Sequence, residues 1–187
     1  MAKIFSVMFF ILLLGSNLSA SDYIRNFDIS IGMKKLDSDD WGDFDKQFMF
    51  GMRFDFQTKK FPVSYVFDIA MSTHEKKEEG LTLSASTYEF NTGLRKYFFT
   101  NQGKVIPYFG AGVGLMLGEL MISDGFEKDS VRDSGLNLWA DIGIKFKFHE
   151  KITFGFDYKF SKAKIELFDT DIEAGGSTFA FLFGIQF

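Results

Sequence analysis

Residues 176–187 alternate with a period of two: Phe179, Phe181, Phe183, Ile185 and Phe187 share one face, and Ala180, Leu182, Gly184 and Gln186 the other. That is the side-chain period of a β-strand. A final strand with an almost wholly aromatic face is hard to leave at the surface of a water-soluble fold, because its unpaired edge and its row of rings invite aggregation. A barrel closed in lipid pairs the edge and solvates the rings in hydrocarbon. Such a barrel needs further strands of the same kind.

The chain supplies them. Phe27, Ile29, Ile31 and Met33 alternate with Asn26, Asp28, Ser30, Gly32 and Lys34; Phe48, Phe50, Met52, Phe54 and Phe56 alternate with Met49, Gly51, Arg53 and Asp55. A third strand begins at Val63, and a fourth, less regular, is clearest over Tyr88–Leu94. A fifth spans Val105–Leu117, a sixth starts at Leu136, and a seventh at Ile152. The segments between them alternate in length. Short turns are expected at 57–62, at Asn101-Gln102-Gly103 and at 149–151, and longer polar loops at 35–46, 74–81, 119–134 and 162–175. The pattern predicts an all-β, eight-stranded, antiparallel up-and-down transmembrane barrel over residues 21–187.

Composition agrees. Mean hydropathy is only +0.01 although 26 residues are Phe, which suits strands with one lipid face better than uniformly apolar helices. There is no cysteine, so disulfides, thiolate metal sites, a thiol nucleophile and a lipoprotein anchor are excluded. The net charge of -4 gives nucleic acid nothing to bind. Residues 1–20 read as a cleaved signal peptide: Lys3 precedes an apolar run, Ile4–Leu14, about half the roughly 20 residues a spanning helix needs. Cleavage is placed after Ala20, with Ser19 as the alternative because Leu18 is bulkier than usual for this region.

Volume decides which face is inside. About three dozen large apolar side chains lie on the apolar faces, far more than the interior of an eight-stranded barrel holds, so they face lipid. The opposite face collects glycines, among them Gly93, Gly112 and Gly143, beside bulky Tyr108 and Trp139. It also collects six acids, Asp28, Asp55, Asp68, Glu89, Asp141 and Asp157, and six bases, Lys34, Arg53, Arg95, Lys145, Lys147 and Lys159. Charges of balanced sign in so narrow a space must pair, which predicts a plugged lumen. Pairing Phe148 with Ile152 sets Asp141 opposite Lys159 and Lys145 diagonal to Asp157, and these contacts are expected. The strand charges assigned outward, Arg25 and Lys96, fall near the rim, where a long side chain reaches water.

The alternating last strand ending in Phe187, together with the run Pro107-Tyr108-Phe109-Gly110-Ala111-Gly112-Val113-Gly114, resembles small bacterial outer-membrane β-barrel proteins of the OmpX and OmpA N-terminal class. The resemblance implies location in a Gram-negative outer membrane, contact with its lipid and lipopolysaccharide, and a monomer. It also implies that Phe179, Phe181, Phe183, Ile185 and Phe187 form an assembly signal, read by the barrel-assembly machinery with help from periplasmic chaperones. No peptidoglycan-binding domain is expected after the barrel. The function expected is a structural or adhesion-type surface protein, with a narrow OmpW-like transport conduit or a lipid A-modifying enzyme as alternatives. For the enzyme, His74 with Ser72 and Glu75 has suitable residue types, but their order and spacing match no motif, so a rim histidine is expected. The acid-rich segment Asp37–Asp43 looks like a calcium loop but places Trp41 and Phe48 at ligand positions, so a solvated loop is expected. No catalytic residue, metal or cofactor follows from the sequence.

Overall fold

A computed structural model describes residues 23–58, 61–78, 80–100, 103–124, 127–168 and 170–187. The signal-peptide segment, residues 1–20, lies outside the described residues, as do Asn101 and Gln102 of the expected turn. Seven strands pair antiparallel in succession: β1 (Tyr23–Lys35), β2 (Lys46–Thr58), β3 (Ser64–Glu78), β4 (Leu81–Tyr97), β5 (Val105–Ser123), β6 (Lys128–Lys147) and β7 (Ile152–Leu167). A four-residue strand, β8 (Thr170–Glu173), folds back on the end of β7. The last strand, β9 (Gly176–Gln186), pairs with both β7 and β1 and closes an eight-stranded barrel. No helix among the described residues is long and apolar enough to cross a membrane.

The period-two sequence pattern becomes the two faces of the wall. Along β7 exposed and buried residues alternate without a break, with Phe154, Phe156, Tyr158 and Phe160 outside and Thr153, Asp157, Lys159 and Ser161 inside. The outer rings contact one another across strands: Phe156 lies 5.1 Å from Phe181, and Phe56 lies 5.3 Å from Tyr65, centroid to centroid. Lys96 reaches the Pro62 carbonyl at the rim, 2.7 Å away.

Three expected loops are largely strand. β3 runs on to Glu78, β5 to Ser123 and β7 to Leu167, and β6 starts at Lys128, so the segments 74–81, 119–134 and 162–175 are mostly paired backbone. Apolar periodicity marks only the stretch of strand in lipid. Beyond the membrane both faces tolerate polar residues, and the ladder continues without that signal. β2 stops pairing with β3 at Phe48–Thr73 and β7 stops pairing with β6 at Asn137–Ala163. β3 to β6 therefore rise past their neighbours as a four-stranded flap.

Glycine sets the room inside. Gly93 and Gly112 stand opposite each other on β4 and β5, and the Trp139 indole lies over them, donating to the Thr92 carbonyl at 3.2 Å. A Cβ on Gly93 would lie 2.6 Å from the Trp139 ring. Gly93→Ala is therefore expected to destabilise the barrel by about 1–3 kcal/mol through overpacking. Urea unfolding in lipid vesicles measures this, with exposed Lys162→Ala, expected within about 0.5 kcal/mol of wild type, as the control. Equal midpoints for the two variants would refute the packing role.

Candidate functional site: the lumen and its mouth

Eleven of the twelve charged residues expected in the lumen are buried, none more than 5% exposed. Near the end of the barrel where β1 begins and β9 ends, Lys145 pairs with Asp28 and packs over the rings of Tyr97 and Tyr108, 5.3 and 5.8 Å from their centroids. Arg95 holds Asp55 at 2.9 Å and also Asp141. Arg53 forks onto Asp157 at 3.1 and 3.2 Å, bonds Asp68 through Nε at 3.2 Å, and lies 3.4 Å from Asp141. Lys159 continues the chain to Asp68 at 3.2 Å and Glu89 at 2.7 Å, and Lys34 closes it on Glu89 at 2.9 Å. The Tyr97 and Tyr108 hydroxyls donate to Asp55 and Asp157. Of the expected charges Lys147 alone is half-buried, and it bonds Gln186.

The expected register is present, with Asp141 opposite Lys159 and Lys145 opposite Gly155, one step from Asp157. The expected contacts are not. Asp141 pairs with Arg95 and Arg53, and Lys145 with Asp28. In a narrow closed barrel a long side chain pointing inward meets strands across the lumen as readily as its own neighbour, so adjacency on the sheet does not select the partner.

Above the ion pairs lies a layer of neutral polar groups. Ser72 Oγ donates to Gln47 at 2.6 Å and lies 2.7 Å from Thr87, while Asn137 donates to Asn91 at 2.8 Å. His74 is turned elsewhere: its Nδ1 is 2.7 Å from the Lys46 carbonyl and its ring meets Phe44 edge-on at 5.5 Å. Glu75 is exposed beside Lys77. Ser72, His74 and Glu75 thus do not converge. Among the described residues no group of three or more His, Asp or Glu side chains is placed to hold a metal ion.

The mouth at the other end departs most from the sequence reading. The acidic segment is a short helix, α1 (Ser38–Trp41), whose Asp37 carboxylate accepts the Asp39 N–H at 3.0 Å. A 3₁₀ turn at Gly42–Phe44 follows. Trp41 is buried rather than solvated; its Nε1 donates to the Glu173 carbonyl at 2.8 Å, and the Glu173 N–H donates to Asp40 at 2.7 Å. Below it Leu36, Ala85, Met116, Ala163, Ile165, Leu167 and Ala174 form an apolar plug. The Lys34 ammonium bonds the Ala174 carbonyl at 3.1 Å, joining plug to ion network. The available signal was the trio Leu36, Trp41 and Phe44 inside an otherwise acidic stretch. Their apolar burial outweighs the solvation of the intervening aspartates, which point outward.

The buried lumen and the exposed mouth should respond differently to lost charge. Asp141→Ala leaves Arg95 and Arg53 short of a buried carboxylate and is expected to cost about 3–5 kcal/mol, whereas Asp39→Ala, at an exposed position, is expected to cost under about 1 kcal/mol. Equilibrium unfolding in lipid vesicles checks the difference, and similar losses would contradict a dry lumen. Outside the membrane, a 2.8 Å hydrogen bond and the charge of Lys76 hold the Asp43 carboxyl below its usual range. This small tether is complete above the unfolded Asp value of about 3.9 and is lost as pH falls through the depressed folded value. Lys76→Ala should raise the Asp43 midpoint in a carboxyl NMR titration; an unchanged midpoint would remove Lys76 as the cause.

A family model described as the outer membrane protein beta-barrel domain matches residues 8–187. Among solved structures, Neisserial surface protein A superposes with a TM-score of 0.62 at 12% identity, covering 88% of this chain and 97% of its own. Ail of Yersinia pestis, in complex with the heparin analogue sucrose octasulfate, gives 0.59 at 15% identity, covering 89% and 98%. A major outer membrane protein of Thermus thermophilus gives 0.63 at 6% identity, covering 88% and 99%. At these identities the likeness is one of fold. No curated protein matches the chain by sequence.

Proposed function

Because the chain belongs to the outer membrane protein beta-barrel domain family, we propose that it is a monomeric, non-enzymatic surface protein of a Gram-negative outer membrane, exported by signal cleavage after Ala20. The barrel wall is an anchor, and contacts are made by the flap and α1 at the outward end. The observation that carries this reading is the double seal, a buried ion network capped by an apolar plug around Trp41. A wall closed to solutes leaves its outer surface as the part free to act. Outer-membrane lipid and lipopolysaccharide surround the barrel.

The surface itself narrows the partner. Segment 35–46 holds five Asp against two Lys, and 119–134 five acids against two bases, so the outward end repels polyanions. The sulfated ligand of Ail is therefore not carried over to this chain.

Phe179, Phe181, Phe183, Ile185 and Phe187 serve as the assembly signal for the barrel-assembly machinery after delivery by periplasmic chaperones. In support, all five are exposed on the outer face, and Phe187 is held at the seam by 2.9 and 3.0 Å backbone bonds with Arg25. Phe187→Ala should lower the folded fraction seen by heat-modifiable gel mobility, and wild-type levels would remove the signal role. His74→Ala should leave the host's lipid A mass spectrum unchanged; a shift tied to His74 would restore the enzyme alternative. Purified protein in a planar bilayer should show no stable conductance. Steady porin-sized openings would overturn the sealed-wall reading in favour of a conduit.

A further inference from the structure

The flap has an inner face that the sealed wall does not use. Beyond the last β2 and β7 pairings, Leu83 stands opposite Ile122, Ile122 opposite Asp129, and Leu120 opposite Val131. These side chains, with Phe44 and Phe168, line a cavity of about 540 Å³ above the plug. Its floor is closed, because Phe44, Leu120 and Val131 also pack against the Trp41 cluster. A molecule entering from outside thus reaches a dead end. A cavity this size falls within the ~300–1,000 Å³ of small-molecule sites. Its apolar walls are open to solvent, with Ile122 48% and Phe168 66% exposed.

Phe168 closes one side of the cavity from the tight turn between the paired Leu167 and Thr170, and its backbone φ of 53° is the left-handed conformation that such a hairpin turn requires. The rim supplies the charge preference: Asp129 and Ser130 line the cavity, in the segment with five acids against two bases. An apolar cup with an acidic rim suits a tail whose head is positive, and repels phosphate, sulfate or carboxylate heads.

We infer that the flap cavity lined by Leu83, Ile122, Val131 and Phe168 binds the apolar tail of a cationic amphiphile, with Asp129 facing the head group. The inference rests on the surface-protein reading in taking this end as outward.

The test uses the folded barrel in lipid nanodiscs with specifically labelled methyl groups, titrated with octyltrimethylammonium and, separately, octyl sulfate. Methyl resonances of Leu83, Ile122 and Val131 should shift saturably with the cation, at least about tenfold more tightly than with the anion. Lipid-facing Ile142 reports partitioning into the bilayer and should not saturate. Ile122→Trp, which fills the cavity, should weaken cation binding by about tenfold or more, and Asp129→Lys should reverse the preference between the probes. Gel mobility verifies folding; if Ile122→Trp fails to fold, Leu83→Trp, which fills the same cavity, takes its place. Shifts that never saturate, equal affinity for both probes, or undiminished binding in the filled variant would each overturn the inference. Failure here with a non-conducting wild type leaves the surface-protein reading standing, whereas open channels with saturable binding would do the reverse.

Discussion

The whole interior depends on the cost of removing charge from water. Each desolvated carboxylate, ammonium or guanidinium costs several kcal/mol, and only close opposite charges and hydrogen bonds offset it. With β1, β2, β3, β4, β6 and β7 all contributing ionised groups to one narrow space, no strand can shift without stranding a partner elsewhere. The outer face, solvated by lipid, imposes no comparable register. The ion network is thus what selects one arrangement of strands around the barrel, while the aromatic wall selects the membrane.

Layering follows from the same cost. The ion pairs lie within the membrane-spanning part of the barrel, the amide and hydroxyl layer of Gln47, Ser72, Thr87, Asn91 and Asn137 comes next, and the apolar plug faces the mouth. Each layer shields the one below from water, which strengthens its electrostatics. Trp41 is the keystone of the cap because it both buries its ring and ties α1 to the segment before β9. The lumen is thus filled by side chains from the ion network up to the plug.

Much of this was legible in the chain. Eight membrane strands, their faces, the inward glycines and the balanced inner charges could be read because lipid and lumen impose opposite demands every second residue. The Asp141–Lys159 register was readable for the same reason, since a three-residue turn fixes it. Three features were not. The partners of Asp141 and Lys145 depend on the closure of the barrel, which no local spacing encodes. The strand extensions at Lys128–Gly135 and His74–Glu78 carry no apolar period, since water bathes them. The fate of Trp41 was hidden by its acidic neighbours, whose charges describe one side of a short helix and say nothing of the side that turns inward.

The pairing principle is tested most directly at Asp28 and Lys145, which reach each other across the lumen from β1 and β6 and share no other ion-pair partner among the described residues. A double-mutant cycle with Asp28→Asn and Lys145→Met, followed by urea unfolding in lipid vesicles, separates the pair from the packing. Each single substitution should destabilise the barrel by about 3 kcal/mol or more, and the double substitution should cost less than either single one, because it leaves no stranded charge. Additive losses would contradict a dry, charge-paired lumen.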